Sequence, residues 1–450
     1  MQENEGILRE EISKTIRKLL QKRVTKIRFR PGKDRIQYAG PIYDHEEIEG
    51  MVNAILDGWF GAGKYTRRFE NELSRFLGAK KVVMTSSGSS ANLLSVSALL
   101  SPQLDQDVRV KPEDEVITSA LASPATINPI LQNNLVPVLL DVEINTYNID
   151  PQNLKTALSS KTKAIVVPHT LGNPNQIDAI ADFARDHDLF LIEDACYALG
   201  SKYQGRHVGT FGALGTFSFS QAHQITTGEG GAVNTNDEAL SNTVLSLREW
   251  GRACTISICD PLHCPDKSCP KSISFNKSFA FDSLPEDYDK RYTYINLGYN
   301  FQPTEIQAAM GITQLRKLPE SMNKRKKNFE ILHDEVSKYE DFFILPSSPT
   351  GSDPCWYSFP LTIKSSAPFK QKDIIRWFAK HNIEVKRPFA GNILKQPAYK
   401  GSNYRIAQKL ANTEQIIGNS FALGIYPGIT EEKISYIIDV LRRIININKT

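Results

Sequence analysis

The chain has 450 residues, 40% of them apolar and 23% charged, with a net charge of +4. That is ordinary for a soluble protein with room for two or more domains, and so small a charge excludes a nucleic-acid or membrane-surface role as the expectation. The longest apolar runs, VPVLLDV and LFLIEDA, fall far short of a membrane span, and MQENEGILREEISKTIRKLL reads as a charged amphipathic helix rather than a signal peptide, so the expected location is cytoplasmic.

Residues 1–50 form the predicted N-terminal helical arm. Residues 51–300 form the predicted large α/β domain. Seven strand candidates follow one another there: KVVMTSS, DEVITSA, LVPVLLDV, TKAIVVPHT, DLFLIEDA, ALGTFSF and GGAVNT. Most are unbroken apolar runs, the pattern of strands covered on both faces, which predicts a mainly parallel sheet between helices. A cysteine-rich insertion spans about 252–281. Residues 301–450 are predicted to hold a long helix, roughly Pro303–Val336, and a smaller C-terminal α+β domain built around WYSFPLTI, KDIIRWFAKH and TEEKISYIIDVLRRI.

Three stretches could carry chemistry. TSSGSSAN, Thr85–Asn92, follows a strand and opens a helix, so its backbone N–H groups suit a phosphate; a serine-capped helix start is the plainer reading. In EDA, Asp194 ends the most apolar strand, where open α/β sheets bind ligands. It could pair with a pyridine nitrogen or merely cap a helix. SFSQAHQ places Ser218 on a strand and His223 on the turn after it, ahead of the glycine loop TGEGG; a lone histidine is more often structural. Cys254, Cys259, Cys264 and Cys269 lie within sixteen residues, with Cys196 and Cys355 elsewhere. In a large unsecreted chain that clustering favours a metal over disulfides, and by composition alone zinc comes first.

Together these signals, in chain order on one sheet, resemble the sugar aminotransferases of the fold type I pyridoxal phosphate enzymes. Within that superfamily the chain is most similar to the CDP-4-keto-6-deoxyglucose 3-dehydrase family of lipopolysaccharide 3,6-dideoxysugar biosynthesis. The resemblance runs through DGWFGAGKYTRRFE, TSSGSSANLLSVSAL, HTLGN, IEDACYALG, AHQITTGEGGAV, RYTYINLGYN, FAGNILKQP and IGNSFALGIYPG. Its most specific mark is His223, where aminotransferases carry the lysine that binds the cofactor. The resemblance implies that Asp194 holds the pyridine nitrogen and that Gly88, Ser89 and Ser218 hold the phosphate. It further implies that Asn300 reaches the cofactor of a neighbouring subunit, hence a homodimer with shared active sites. Motif position suggests substrate contacts from Pro124, Thr126, His169, Asn173, Arg387, Phe389 and Asn392.

Imidazole cannot form the covalent imine that lysine forms, so the resemblance implies non-covalently held pyridoxamine phosphate, with His223 as the base. The base would take the C4′ proton while the C3 hydroxyl of a nucleotide-linked 4-keto-6-deoxyhexose leaves. Two electrons would then arrive through a 2Fe–2S cluster from a separate NADH-dependent flavin reductase. Four of Cys196, Cys254, Cys259, Cys264 and Cys269 would ligate the cluster. Cys196 precedes Cys254 by the family interval of 58 residues, but the family's next ligand position holds Ile256. Cys269 matches the last ligand, and the fourth is Cys259 or Cys264. Structural zinc, a GDP- or TDP-sugar 3-dehydratase that needs no such reductase, and a silent sugar-nucleotide-binding relic are the alternatives.

Overall fold

A computed structural model describes residues 2–24, 28–253, 284, 292–389 and 391–447. The seven predicted strands all form: β1 (Lys81–Thr85), β2 (Glu115–Ser119), β3 (Val136–Leu140), β4 (Thr162–Pro168), β5 (Phe190–Asp194), β6 (Leu214–Ser218) and β7 (Gly231–Thr235). They lie in one sheet in the order β1-β7-β6-β5-β4-β2-β3. Strands β6, β5, β4, β2 and β3 run parallel to one another, and β7 is antiparallel to both β1 and β6. An eighth strand of two residues, Arg405–Ile406, extends the sheet parallel to β3. It was not among the predicted strands, and its side chain explains its place: Arg405 Nε and Nη2 grip the Glu115 carboxylate at 2.8 and 2.6 Å.

The unbroken apolar runs reflect burial on two sides. Ile117, Val138, Ile165 and Val167 face one helical layer, while Val116, Ala164, Val166 and Ile192 face the other. Each side must exclude water, so alternation with polar residues is lost. A third core, around Phe359, Phe378, Phe421, Ile437 and Leu441, belongs to an antiparallel four-stranded sheet of residues 343–344, 358–363, 420–424 and 385–386.

The helix Glu305–Val336 joins the first of these cores, through Ala308, Ile312 and Leu318, to the third, through Leu332 and Val336. Thr304 and Gln307 form a capping box at its start. Glu305 meanwhile accepts from the N–H groups of Gly63, Tyr65 and Thr66, each at 2.8 Å, and from the Thr66 hydroxyl at 2.7 Å. It therefore caps the helix Lys64–Leu77, whose own N-cap residue, Gly63, offers no side chain. The N-terminal helix Gln2–Val24 packs beside the helix His45–Leu56 through Arg17, which holds Glu49 at 2.8 and 3.0 Å. None of the described helices is long and apolar enough to cross a membrane.

Candidate functional site

The site forms where β5, β6 and the β1-to-helix turn end side by side. Parallel pairing sets Asp194 opposite Thr216, so Ser218 lies two residues further along β6. At about 3.3 Å per residue that offset is roughly 7 Å, a span a phosphorylated pyridine bridges. Asp194 is buried and its carboxylate is fully organised. Oδ2 accepts from Thr126 Oγ1 at 2.7 Å and Asn92 Nδ2 at 3.0 Å, while Oδ1 accepts from the Cys196 N–H at 3.2 Å. Thr216 in turn donates to Asn92 Oδ1 at 2.5 Å, which fixes the amide's orientation.

At the other end, Ser87 caps the helix Gly88–Ala98, its side chain accepting from the Ser90 N–H at 3.0 Å. Ser89 is exposed in the first turn, with the free N–H groups of the helix start around it. Gly88 has no room for a side chain: a Cβ would meet Ser218 Cβ at 2.5 Å, Ser218 Oγ at 2.9 Å and Cys196 Sγ at 3.1 Å. Gly231 on β7 is equally tight against the Ser87 carbonyl at 2.3 Å. These two glycines let a serine hydroxyl and a helix N-terminus close on one point. A helix start with a serine hydroxyl at one end, and a buried, hydrogen-bonded carboxylate at the other, fit a phosphorylated pyridine cofactor.

His223 lies on a turn closed by its own N–H to the Ser220 carbonyl at 3.0 Å. The loop behind it is pinned by Phe219 N–H to Gly230 O at 2.8 Å and Thr227 N–H to Phe219 O at 2.9 Å. The imidazole stacks on Tyr197, with ring centres 4.9 Å apart and planes at 28°. Its Nδ1 is buried with no hydrogen-bond partner among the described residues. Burial, and secondly the Arg325 charge, push its pKa down to about 4. At neutral pH the ring is therefore an uncharged base, and enclosure of Nδ1 leaves Nε2 to accept a proton.

Of the seven suggested substrate contacts, Arg387 and Phe389 line a cavity of about 330 Å³ with Tyr38, Tyr197, Ala222 and Lys386. Phe389 packs edge-on against Tyr197 at 5.0 Å. Thr126 serves Asp194 instead, and Pro124 begins its helix. The other three are engaged within the fold. His169 Nε2 meets Glu193 at 3.0 Å, and its Nδ1 accepts from the Asn175 N–H at 3.1 Å. Asn173 donates to Thr146 O and Ser347 O, both at 2.9 Å, and Asn392 donates to Glu414 at 2.7 Å. Asn300 is exposed, bridged through its backbone to Glu249.

Cys196 is buried between Asp194 and Gly88, and burial, reinforced by Asp194, pushes its thiol well up. Cys355 is also free and buried. Cys254, Cys259, Cys264 and Cys269 lie outside the described residues. Among the described residues no cluster of three or more His, Cys, Asp or Glu side chains could hold a metal ion.

The sequence reading did not single out Tyr197, Asn92 or Arg325. Asn92 and Tyr197 sit inside stretches it did single out, TSSGSSAN and DACYALG, whereas Arg325 is one of several basic residues on a long helix and carries no local signal.

A parallel-centred sheet with Asp194 and the Gly88 turn at its strand ends defines the fold of the pyridoxal phosphate-dependent aminotransferases. The chain belongs to the DegT/DnrJ/EryC1/StrS aminotransferase family, whose pattern matches residues 42–257 and 268–442. It is 40% identical to the lipopolysaccharide biosynthesis protein RfbH of Salmonella typhimurium, over 98% of this chain and 99% of that one. It is 42% identical to a dTDP-4-dehydro-2,6-dideoxy-D-glucose 3-dehydratase of Saccharopolyspora spinosa, over 91% and 87% of the two chains. Among solved structures, the E. coli GDP-4-keto-6-deoxy-D-mannose-3-dehydratase with bound hydrated PLP superposes with a TM-score of 0.80 at 30% identity, covering 91% of this chain and 100% of that one.

Proposed function

We propose that this protein removes the C3 hydroxyl of a nucleotide-linked 4-keto-6-deoxyhexose, using pyridoxamine phosphate that it holds without a covalent bond. One observation carries the reading. Beside the Asp194 carboxylate and the tight Gly88 turn, an imidazole stacked on Tyr197 stands where a lysine would be expected to anchor the cofactor. Relatives over nine-tenths of the chain are 3-dehydratases by name, which supports the same reaction here.

Bound pyridoxamine phosphate supplies an amine that condenses with the sugar ketone and a ring that takes up electrons. The protein does the rest. Asp194, oriented by Thr126, Asn92 and the Cys196 N–H, would hold the ring nitrogen and favour its protonated form. Gly88, Ser89 and Ser218 hold the phosphate. His223 takes a proton at Nε2 and can return it to the departing hydroxyl, so no proton is lost in the elimination. Arg387 gives the cavity a cation suited to a phosphate, Lys386 being paired there with Glu384 at 2.8 Å, and the Tyr38, Tyr197 and Phe389 rings shield the sugar end from water. Asn300, exposed at the surface, would reach the cofactor of a second copy, as a shared-site homodimer requires.

The finer reading is a CDP-linked substrate, with reduction through a 2Fe–2S cluster fed by an NADH-dependent flavin reductase. The position of Cys196 beside the site supports it, as does the run of four cysteines that begins at Cys254. Residues 258–267, which hold Cys259 and Cys264, fall between the two parts of the family match. The second reading is a dehydratase that restores pyridoxamine phosphate from glutamate, favoured by the 31% identity to a GDP-4-keto-6-deoxy-D-mannose 3-dehydratase of Yersinia pseudotuberculosis. Anaerobic purification with iron, sulfide and zinc analysis tests the pair. Two iron and two sulfide per chain support the cluster, and zinc without sulfide refutes it. Turnover driven by glutamate alone selects the second reading, and no dehydration with any nucleotide sugar refutes both.

A further inference from the structure

Behind His223 the long helix buries a cation that no carboxylate balances among the described residues. Arg325 is 1% exposed and makes no ion pair among the described residues. Its Nη1 donates to the Tyr357 carbonyl at 3.0 Å and its Nη2 to the His223 carbonyl at 3.3 Å, while Nε has no partner. The guanidinium lies 5.9 Å from the Tyr357 ring centre. A buried, uncompensated charge is costly, and an apolar side chain of similar length would avoid that cost. The two carbonyls it holds belong to residues whose rings both pack on Tyr197: His223 stacks at 4.9 Å and Tyr357 meets it edge-on at 4.8 Å.

We propose that Arg325 is a positioning residue for His223: by gripping the His223 and Tyr357 carbonyls together it fixes the imidazole plane on Tyr197 and aims Nε2 at the reacting carbon. The proposal rests on His223 being the base, and it deepens that reading. A rigid fork suits the task, because one planar group can hold two carbonyls at a set separation, which a lysine ammonium on a flexible stem does not. The same charge opposes protonation of the ring it positions, so geometry and basicity act together. Among the described residues no other charged group acts on the ring in this way. Around the imidazole are the Tyr197 and Tyr357 phenols and the Ser220 carbonyl. Across the adjoining cavity of about 370 Å³, Lys317 pairs with Asp44 and Lys324 with Glu320, each at 2.7 Å.

The test uses full-length Arg325→Met and Arg325→Lys, with the His223 imidazole titrated by NMR in the protein without substrate, beside steady-state kinetics with a nucleotide 4-keto-6-deoxyhexose. Arg325→Met should raise the proton affinity of His223 severalfold, burial being the larger cause of its low value, and lower kcat at least tenfold, with KM within threefold of the parent. Arg325→Lys keeps the charge and loses the fork, so it should leave the titration low and still lower kcat at least tenfold. An unchanged titration in Arg325→Met, or an unchanged kcat in Arg325→Lys, overturns the proposal. Should the methionine variant fail to fold, the lysine variant decides alone. Should the parent dehydrate no nucleotide sugar, the proposed function fails, while the titration and the His223–Tyr197 ring contacts in the two variants still decide on Arg325.

Discussion

Replacing Asp194 with asparagine isolates the charge at the ring-nitrogen end of the site. The carboxylate accepts from Thr126 and Asn92 at one oxygen and from the Cys196 N–H at the other, so both of its oxygens face donors. An asparagine must turn its NH2 toward one of these sets. At the Oδ2 position it opposes the Asn92 amide, whose own orientation Thr216 fixes; at the Oδ1 position it opposes a main-chain N–H. One mispaired buried donor costs about 1–3 kcal/mol in folding stability. Loss of a buried, hydrogen-bonded charge partner costs the cofactor about 2–5 kcal/mol in binding, which is roughly 30-fold to several-thousand-fold in Kd. Pyridoxamine phosphate binding by intrinsic-fluorescence titration reads the second figure and urea unfolding the first. An Asp194→Asn protein that binds pyridoxamine phosphate within threefold of the parent would refute the assignment of Asp194 to the ring nitrogen.

Four other outcomes are expected. Gly88→Ala should abolish cofactor binding in equilibrium dialysis while the protein still folds, since the new Cβ lies 2.5 Å from Ser218 Cβ; retained binding would show the cradle lies elsewhere. His223→Lys should trap pyridoxal phosphate covalently, seen as a mass increase after borohydride reduction, and lose C3 deoxygenation; deoxygenation at the parent rate removes histidine from the mechanism. Glu305→Ala strips three main-chain N–H groups and a hydroxyl of their acceptor and should cost about 3 kcal/mol in urea unfolding, an expectation a loss below about 1 kcal/mol would contradict. For pH, burial lowers His223 and His207 to about 4. Unfolded histidines take up protons below about 6.5, so stability is unaffected above that pH and falls as the pH drops toward 4, by up to about 3 kcal/mol for His223. Unfolding midpoints equal at pH 7 and pH 5 would contradict this.

The seven strands were legible because burial on both faces writes a continuous apolar run, and no other local structure of that length does so between polar turns. The two-residue strand Arg405–Ile406 was not, since its place rests on an ion pair with Glu115, 290 residues away in sequence. Asp194, Gly88 and Ser218 could be read as strand-end and turn chemistry, which is local. His169 and Asn173 sit in an equally suggestive motif, yet their polar atoms turn inward to Glu193, Thr146 and Ser347. A motif fixes which residue types are available but not which way they face. Tyr197 and Arg325 lay beyond sequence reasoning for a related reason: their relation to His223 exists only once the long helix has docked.

The hydrogen bonds that hold Asp194 all come from the protein itself, and the glycine turn at the phosphate end is shaped by its own backbone. With histidine at 223, nothing in such a ready-made berth locks its passenger in. If the proposed function holds, the cofactor would behave as a diffusible co-substrate: the active fraction of enzyme would follow the free pyridoxamine phosphate concentration relative to Kd, and each molecule could leave between turnovers. Flux through the enzyme would then be coupled to the supply of the aminated vitamin, a coupling that a covalent lysine tether would weaken.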